Sequence, residues 1–335
     1  MELNTISLSD FTKLAQVIWL KAKMSIPTFA RSSGMFRVLN ISENSGNTRE
    51  FSSIDDNEYL SYKGEGDQAK RAKVQQGFTK TMTKFRVAEN IGITYEMRHE
   101  NKYPEVVGRL TGGGRKGPNT MDLDMSHQIG FGTVTSYTDR DGRTISTTVG
   151  DGLALFATAH TLRSSSSTYR NRLAGNPQLS RGALEAMERQ AVENTLNQFG
   201  EKMTVPFDLL WITDDPQVEN TALEYLRSIA APEAPNSGVT NVYKAKYKLV
   251  KLPRIATTAA GAVDTAKRRY WGIASSAFTS AYLGVWEEPH LINPSANSNA
   301  EDVMTDDWEF RNRAGYGLVI VDGKWVHIST GDDVA

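Results

Sequence analysis

Residues 51–90 read as a long β-hairpin without a hydrophobic face, and this limits the chain's options more than any other feature. "GEGDQAKRAKVQQ" runs through Gly77 into "FTKTMTKFRVAEN". In the second limb Phe78, Lys80, Met82, Lys84 and Arg86 share one side of an extended strand, and Thr79, Thr81, Thr83, Phe85 and Val87 share the other. Neither side is apolar enough to bury. A lone two-stranded ribbon is marginal in water, and one with two largely polar faces is weakly held in register. Such a segment is a loose surface loop, or an arm that becomes ordered by lying on a neighbouring subunit.

The N-terminal part raises the same question. Residues 7–20 have the pattern of a short amphipathic helix, with Ser7 or Ser9 as cap and Phe11, Leu14, Val17 and Ile18 on one face. The stretch that follows, to about residue 50, is polar and without period, as in "NISENSGNTREF". It holds too little apolar surface to offset its ordering entropy alone. It is expected to be disordered or laid along a partner.

Beyond the hairpin the pattern is mixed α and β without internal repeat. A strand is expected near 87–95, then a helix carrying Tyr103, Val106, Val107 and Leu110. "GGGRKGP" (112–118) should break or bend that helix before a second piece bearing Met121, Met125 and Ile129. "FGTVTSYTDRDGRTISTTVGDG" reads as strands around an Asp-Gly turn. Residues 180–200 predict a helix from a capping serine to Gly200, with Leu184, Met187, Ala191, Leu196 and Phe199 on one side. "FDLLWIT" (207–213) is a buried strand, and the next helix opens with Asp215 as cap and Pro216 at its first position. "YKAKYKLVKL" (243–252) reads as a strand with a tyrosine face and a lysine face. Strands at 269–278 and 281–287 follow, and "YGLVIV", an Asp-Gly turn and "WVHI" suggest a terminal hairpin.

Candidate chemistry is sparse. His160 stands near the serine run 164–167 and Tyr169, so a nucleophile–base pair is conceivable. No G-x-S-x-G elbow accompanies it, and a serine run is the composition of a flexible loop. Asp122, Asp124 and His127 in "DLDMSH" are metal-ligating types, but residues two apart on a helix point about 200° apart. "GGGRKGPNT" lacks the order of a phosphate-binding loop, since Lys116 precedes Gly117 and Pro118 follows. The lysines of 243–252 suit a solvated or edge-guarding face. His99, His290 and His327 have no ligand spacing. The residues therefore predict no catalytic, cofactor or metal site, and no enzyme.

Charge and cysteine content remove further classes. Lys plus Arg number 38 and Asp plus Glu 39, so the chain lacks the basic excess of a dedicated nucleic-acid binder. There is no cysteine, hence neither disulfide nor thiolate chemistry. Charges at Glu2, Asp10 and Lys13 argue against a secretory signal, and no apolar run approaches the roughly 20 residues that span a bilayer. An intracellular, soluble protein without membrane contact is expected.

The order of these parts resembles the major capsid proteins of tailed bacteriophages with the HK97-like fold, an α+β architecture. "DGLALFATAHTL", "YRNRL" and "LSRGALEAM" are similar to the Mu-type major head subunit family, and "FDLLWITDDPQVENTALEYL" to its next element. The likeness covers about 90–335 in layout and is specific over about 150–230. It implies an N-terminal arm at 1–45 and an extended E-loop at 46–90. It further implies a P-domain with spine helix at 91–180 and 281–313, and an A-domain at 181–280 and 314–335. Residues 151–172 become a P-domain loop in which His160 packs or hydrogen-bonds.

The implied function is self-assembly, as hexamers and pentamers, into an icosahedral head around double-stranded DNA that is touched only non-specifically. The near-zero net charge suits a container, since a wall that gripped DNA tightly would resist packaging. Lys70, Arg71, Lys73, Lys80 and Lys84 become candidate inter-subunit contacts, and Lys63 or Lys70 candidates for a cross-link to a neighbour's asparagine. A scaffolding protein, a portal and a decoration protein are the implied partners. The scaffold is expected to be separate because the chain begins without a long helical extension. The implied location is the virion, with the host cytoplasm during assembly. An encapsulin-like nanocompartment shell is the alternative of the same fold, and a hydrolase centred on His160 the alternative of another class.

Overall fold

The computed structural model describes residues 8–56, 59–71, 74–231, 239–294 and 307–332. The larger sheet is built of Arg37–Asn40 (β1), Ala281–Ile292 (β12), Trp308–Ile320 (β13) and Phe85–Ile93 (β4), in that spatial order. β1 runs parallel to β12, and the other pairs are antiparallel. A smaller sheet orders Lys248–Lys251 (β10), Leu209–Ile212 (β9) and Trp271–Ala274 (β11). Every residue of β9 is buried, which explains why "LLWI" is apolar without alternation. Arg181–Asn194 (α5) and Pro216–Arg227 (α6) pack on it, placing Leu184, Met187, Ala222 and Tyr225 against Leu210, Ile212 and Trp271. Trp211, Tyr316 and Trp325 lie in one core that joins both sheets.

The helix α4 spans Tyr103–Gly130 and passes unbroken through "GGGRKGP", with Pro118 inside it. The expected break is corrected by packing. A Cβ on Gly114 would lie 2.5 Å from the Trp19 carbonyl oxygen and 2.9 Å from the Ala22 Cβ, and one on Gly117 would lie 2.7 Å from the Pro289 Cβ. These glycines let the helix Leu8–Met24 (α1) and β12 approach α4 more closely than any side chain permits. The entropic cost of the glycines is offset by burial of Phe11, Trp19, Val106, Leu110 and Phe310 around the crossing.

The N-terminal part is likewise packed into its own chain rather than left for a partner. α1 buries Phe11, Ala15, Trp19 and Ala22, while Val17 is half exposed, so the buried stripe is rotated from the expected one. Ser9 lies inside the helix and Ser7 outside the described residues. Ala30, Met35 and Phe36 enter the main core, and β1 extends the large sheet. Here three isolated apolar residues, too few to show a period, are each buried.

Three further expectations shift. α5 starts at the Ser180 cap, whose hydroxyl accepts from the Ala183 N–H, but ends at Asn194 rather than Gly200. Asn197 Oδ1 accepts from the Phe199 and Glu201 N–H groups and turns the chain, a side-chain competitor to helix. Of 243–252 only β10 is strand, because Ala245 adopts φ 56° and its N–H bonds to the Leu226 carbonyl. The terminal hairpin is absent: "YGLVIV" lies in β13 beside β12, whereas Trp271↔Ser329 and Ala274↔Val326 bridge the last segment to β11. The turn after α4 holds, with Ser136–Thr138 (β5) pairing Thr144–Ser146 (β6) around Asp141-Gly142.

Candidate assembly interface

An antiparallel ribbon forms, but with other limbs than expected: Thr48–Asp56 (β2) pairs with Val74–Thr83 (β3), Gly77 lies inside β3 rather than between the limbs, residues 64–71 form no strand, and a register irregularity falls between Ser52 and Ile54. Its base is fastened to the body. Met82 is fully buried with Ile41, Trp286 and Val319, and Phe51 stacks on Tyr282 at 4.7 Å. The Arg163 guanidinium donates to the Gly77 carbonyl at 2.8 Å, and the Lys80 ammonium donates to the Thr148 carbonyl. Gly150 carries no side chain where Phe78 and the Val321 carbonyl press against it.

The far end lies at the surface. Residues 59–71 are exposed throughout and form no regular structure. Leu60 is 97% and Tyr62 102% exposed, whereas such side chains bury favourably by about 1.5–3 kcal/mol. Lys63, Lys70 and Arg71 share this exposed run. Lys73 lies outside the described residues. Lys84, half-buried, has its Cε beside Gly315 at the base. Lys80 is turned inward onto its own chain. Of the four lysines and one arginine expected as inter-subunit contacts, Lys70 and Arg71 are the two placed on the exposed run.

Burial lowers the Lys80 pKa to about 8. In the unfolded chain a lysine titrates near 10.4, so between about pH 8 and 10.4 the unfolded state holds the extra proton and stability rises with pH. Lys80→Met removes a charge that has no carboxylate partner among the described residues. It should raise Tm at pH 7 by about 2–4 °C, the equivalent of roughly 1 kcal/mol. Wild type should approach the variant as pH rises from 8 to 10. A Tm difference independent of pH in calorimetry would show that the ammonium is not desolvated.

Residues 151–172 form a loop closed by internal contacts. His160, fully buried, sets Nδ1 2.8 Å from Asp151 Oδ2 and Nε2 3.2 Å from the Leu155 carbonyl, and stacks on Tyr169 at 4.7 Å. Both ring nitrogens are occupied within the loop, and the serines 164–167 are not among their partners. Burial works to raise the Asp151 pKa, but His160 and the Leu153 and Thr161 N–H groups outweigh it and hold the carboxyl below its ordinary value. Asn171 ties the loop to the C-terminal segment, donating to the Leu155 and Gly323 carbonyls. His160→Ala should therefore destabilise by about 3–5 kcal/mol, the cost of stranding a buried charge. A thermal melt that moves by less than about 1 kcal/mol would show the pair to be dispensable.

The other sequence candidates also resolve into internal contacts. Asp122 accepts from the Ala30 N–H at 2.7 Å and meets Arg254 at 2.9 Å; Asp124 accepts from the Tyr316 hydroxyl at 2.5 Å; His127 bonds Thr257 at 2.9 Å. Burial lowers the His127 pKa to about 4. The three side chains thus face different partners, and among the described residues no acid–histidine cluster suited to a metal occurs. Lys246 pairs with Glu188 and Lys251 with Glu219. Among the described residues no helix is long and apolar enough to cross a membrane.

The sequence reading overlooked two features. One is the apolar character of "YLSY" at the hairpin end, visible as three large apolar residues in a polar stretch. The other is a cleft of about 810 Å³ among α4, β4 and the β5–β6 turn, lined by Arg86, Lys116, Arg140, Arg143, Arg254 and Arg313. No local motif signals it, because its residues are scattered along the chain.

No protein-family model matches the chain, and no curated protein does. Solved structures do. The mature capsid of bacteriophage PhiM1 aligns with a TM-score of 0.50 at 12% identity, over 90% of this chain and 86% of that one. The capsid of cyanophage P-SCSP1u gives 0.49 at 14% identity, over 88% and 85%. Gordonia phage Cozz gives 0.49 at 12%, over 90% and 85%. At such identities the likeness concerns fold, and the fold is the HK97-like α+β architecture that the sequence led one to expect.

Proposed function

We propose, with the HK97-like fold as premise, that this chain is the major capsid protein of a tailed bacteriophage, nearest the Mu-type head subunits over about 150–230. One observation carries the reading: a ribbon anchored at its base that ends in a wholly exposed run bearing Leu60 and Tyr62. A monomer gains nothing from that arrangement, whereas a shell covers it with the next subunit. Shells arise from heterologous contacts whose rotation closes into rings, and many modest contacts reinforce one another.

In this reading residues 1–45 are the N-terminal arm and 46–90 the E-loop. Residues 91–180 with 281–313 form the P-domain, and 181–280 with 314–335 the A-domain, β13 being shared across that last boundary. α4 is the spine helix. Lys70 and Arg71 pair with acidic groups of an adjacent subunit, each exposed pair contributing about 0–1 kcal/mol and chiefly setting register. Hexamers and pentamers enclose double-stranded DNA in the virion after assembly in the host cytoplasm, with a scaffolding protein, a portal and a decoration protein as partners. The wall itself performs no catalysis.

The test is size. The chain expressed alone and with its scaffold should give a heavy fraction in light scattering behind a sizing column, and rings or hollow particles in negative stain. A chain that stays monomeric with scaffold and crowding agents would refute the proposal.

A further inference from the structure

We infer that the outer face of α1, with the hollow at its C-terminal end, is a docking site for an amphipathic helix of another protein whose apolar residues are flanked by acidic ones. α1 is apolar on two opposite faces. One stripe, Phe11, Ala15, Trp19 and Ala22, is buried against α4 and the large sheet. At about 100° per residue, Val17, Leu20 and Met24 fall within about 60° of one another and roughly opposite that stripe. They are 50%, 48% and 78% exposed. A helix packed on one side ordinarily turns polar residues to water on the other, and contiguous exposed apolar groups with a polar rim mark interaction sites. The stripe ends at a hollow: Met24 also lines a cavity of about 130 Å³, walled by Pro118 and Met121 of α4 and Pro289 of β12, with the Arg31–Glu288 ion pair beside them. An apolar cavity of about 150 Å³ holds a benzene ring, so this one takes a single aliphatic side chain. Apolar groups at i, i+3 and i+7 beside such a hollow are the pattern by which one helix seats on another.

The charges around the stripe favour an acidic partner over a second copy of α1. Asp10 is taken by Lys13 at 3.3 Å, and Glu288 by Arg31 at 2.5 Å. Lys21 and Lys23 remain, and helical geometry sets them on opposite flanks of the stripe. The Lys21 side chain is exposed and has no hydrogen-bond or ion-pair partner among the described residues. The Lys23 ammonium donates to the Pro289 carbonyl at 2.6 Å and forms no ion pair with a carboxylate among them. The charge left over along this face is therefore positive. A second α1 laid on it would set Lys13, Lys21 and Lys23 of each copy against one aspartate, Asp10, so like charges oppose self-pairing. An incoming helix with glutamate or aspartate on both flanks of an apolar stripe meets the stripe, the hollow and both lysines together. The inference does not depend on the capsid reading.

The probe is a fluorescein-labelled helical peptide of about five turns, with leucine at every third or fourth position and glutamate on both flanks, titrated by anisotropy against the full chain. One control has the same composition with its leucines scattered around the helix, and the other has lysine in place of glutamate. Saturable binding is expected for the acidic helix, and binding at least tenfold weaker for each control. Leu20→Gln with Met24→Gln should weaken binding at least tenfold with an unchanged melting temperature. Lys21→Glu, exposed and outside the stripe, reads the same contact without touching the packing of α1, and should weaken binding severalfold and flatten its salt dependence. Equal binding of the scattered peptide would reduce the contact to charge alone and overturn helix docking. Absence of binding by the acidic helix, or insensitivity to these substitutions, would overturn it as well. Self-association of the chain alone that is lost on Leu20→Gln with Met24→Gln would give the face to a second copy and overturn the partner-protein reading.

Discussion

Leu60→Asp combined with Tyr62→Asp is expected to abolish particle formation while leaving Tm within about 1 °C of wild type. Both side chains are wholly exposed in the isolated chain, so charging them costs the monomer little. Surface changes of that kind usually fall within about 0.5 kcal/mol. On the proposed reading the next subunit covers the same side chains. Burial of two such groups is worth about 3–6 kcal/mol, or roughly two to four orders of magnitude in association. Aspartate adds a desolvation penalty to that loss. Repetition at every subunit contact makes the effect on a closed shell larger than on any single pair. Lys70→Glu and Arg71→Glu should act in the same direction, more weakly and in a salt-dependent way. Sizing chromatography with light scattering reads the result. Normal particles from the double variant would remove the hairpin end from the subunit contacts.

Gly114→Ala should lower Tm, whereas Gly112→Ala, two residues earlier in the same helix, should raise it. Helix propensity alone favours alanine at both sites by about 1 kcal/mol. At Gly112 nothing lies within 4 Å of the added methyl, so the propensity gain stands. At Gly114 the methyl would meet backbone, the Trp19 carbonyl oxygen at 2.5 Å, and Ala22 at 2.9 Å. Backbone cannot swing aside, so α1 has to move off α4 and the packing of Phe11 and Trp19 is loosened. Overpacking of a core typically costs about 1–3 kcal/mol; contact with backbone puts Gly114 in the upper part of that range, where it outweighs propensity, and since the propensity gain is common to both sites the two variants differ by about 1–3 kcal/mol. Equal rises in Tm by circular dichroism would show that α1 and α4 are not held at glycine distance.

Where one segment carries its own instructions, the sequence was enough. The Ser180 and Asp215 caps, with Pro216 at the first helical position, are local chemistry, and both helices begin where those residues say. "LLWI" is apolar on both faces because its strand is covered on both. The Asp-Gly turn at 141–142 needs a positive φ, and Gly142 supplies it. The polar ribbon of 48–83 was legible as a weakness, since a hairpin without an apolar face must find support elsewhere. His160 was legible as a packing or hydrogen-bonding residue, and it lies buried among Asp151, the Leu155 carbonyl and Tyr169.

Long-range contact settled the remainder, for reasons that leave no local trace. The glycines and proline of "GGGRKGP" read as a break until α1 presses against Gly114 and β12 against Gly117 and turn lost side chains into close approach. The stretch after residue 20, to about residue 50, read as disordered or laid along a partner, yet β1 borrows its hydrogen bonds from β12, some 240 positions away in sequence. Lys80 and Lys70 are the same residue type on the same hairpin, but the body reaches only the first, through the Thr148 carbonyl. The cleft beside β4 gathers charge from segments as distant as Arg86 and Arg313. Caps, turns and apolar runs depend on neighbours a few residues away, and so they are written in the chain. Close packing, desolvation and summed charge depend on which distant surfaces meet, and those exist once the fold has brought them together.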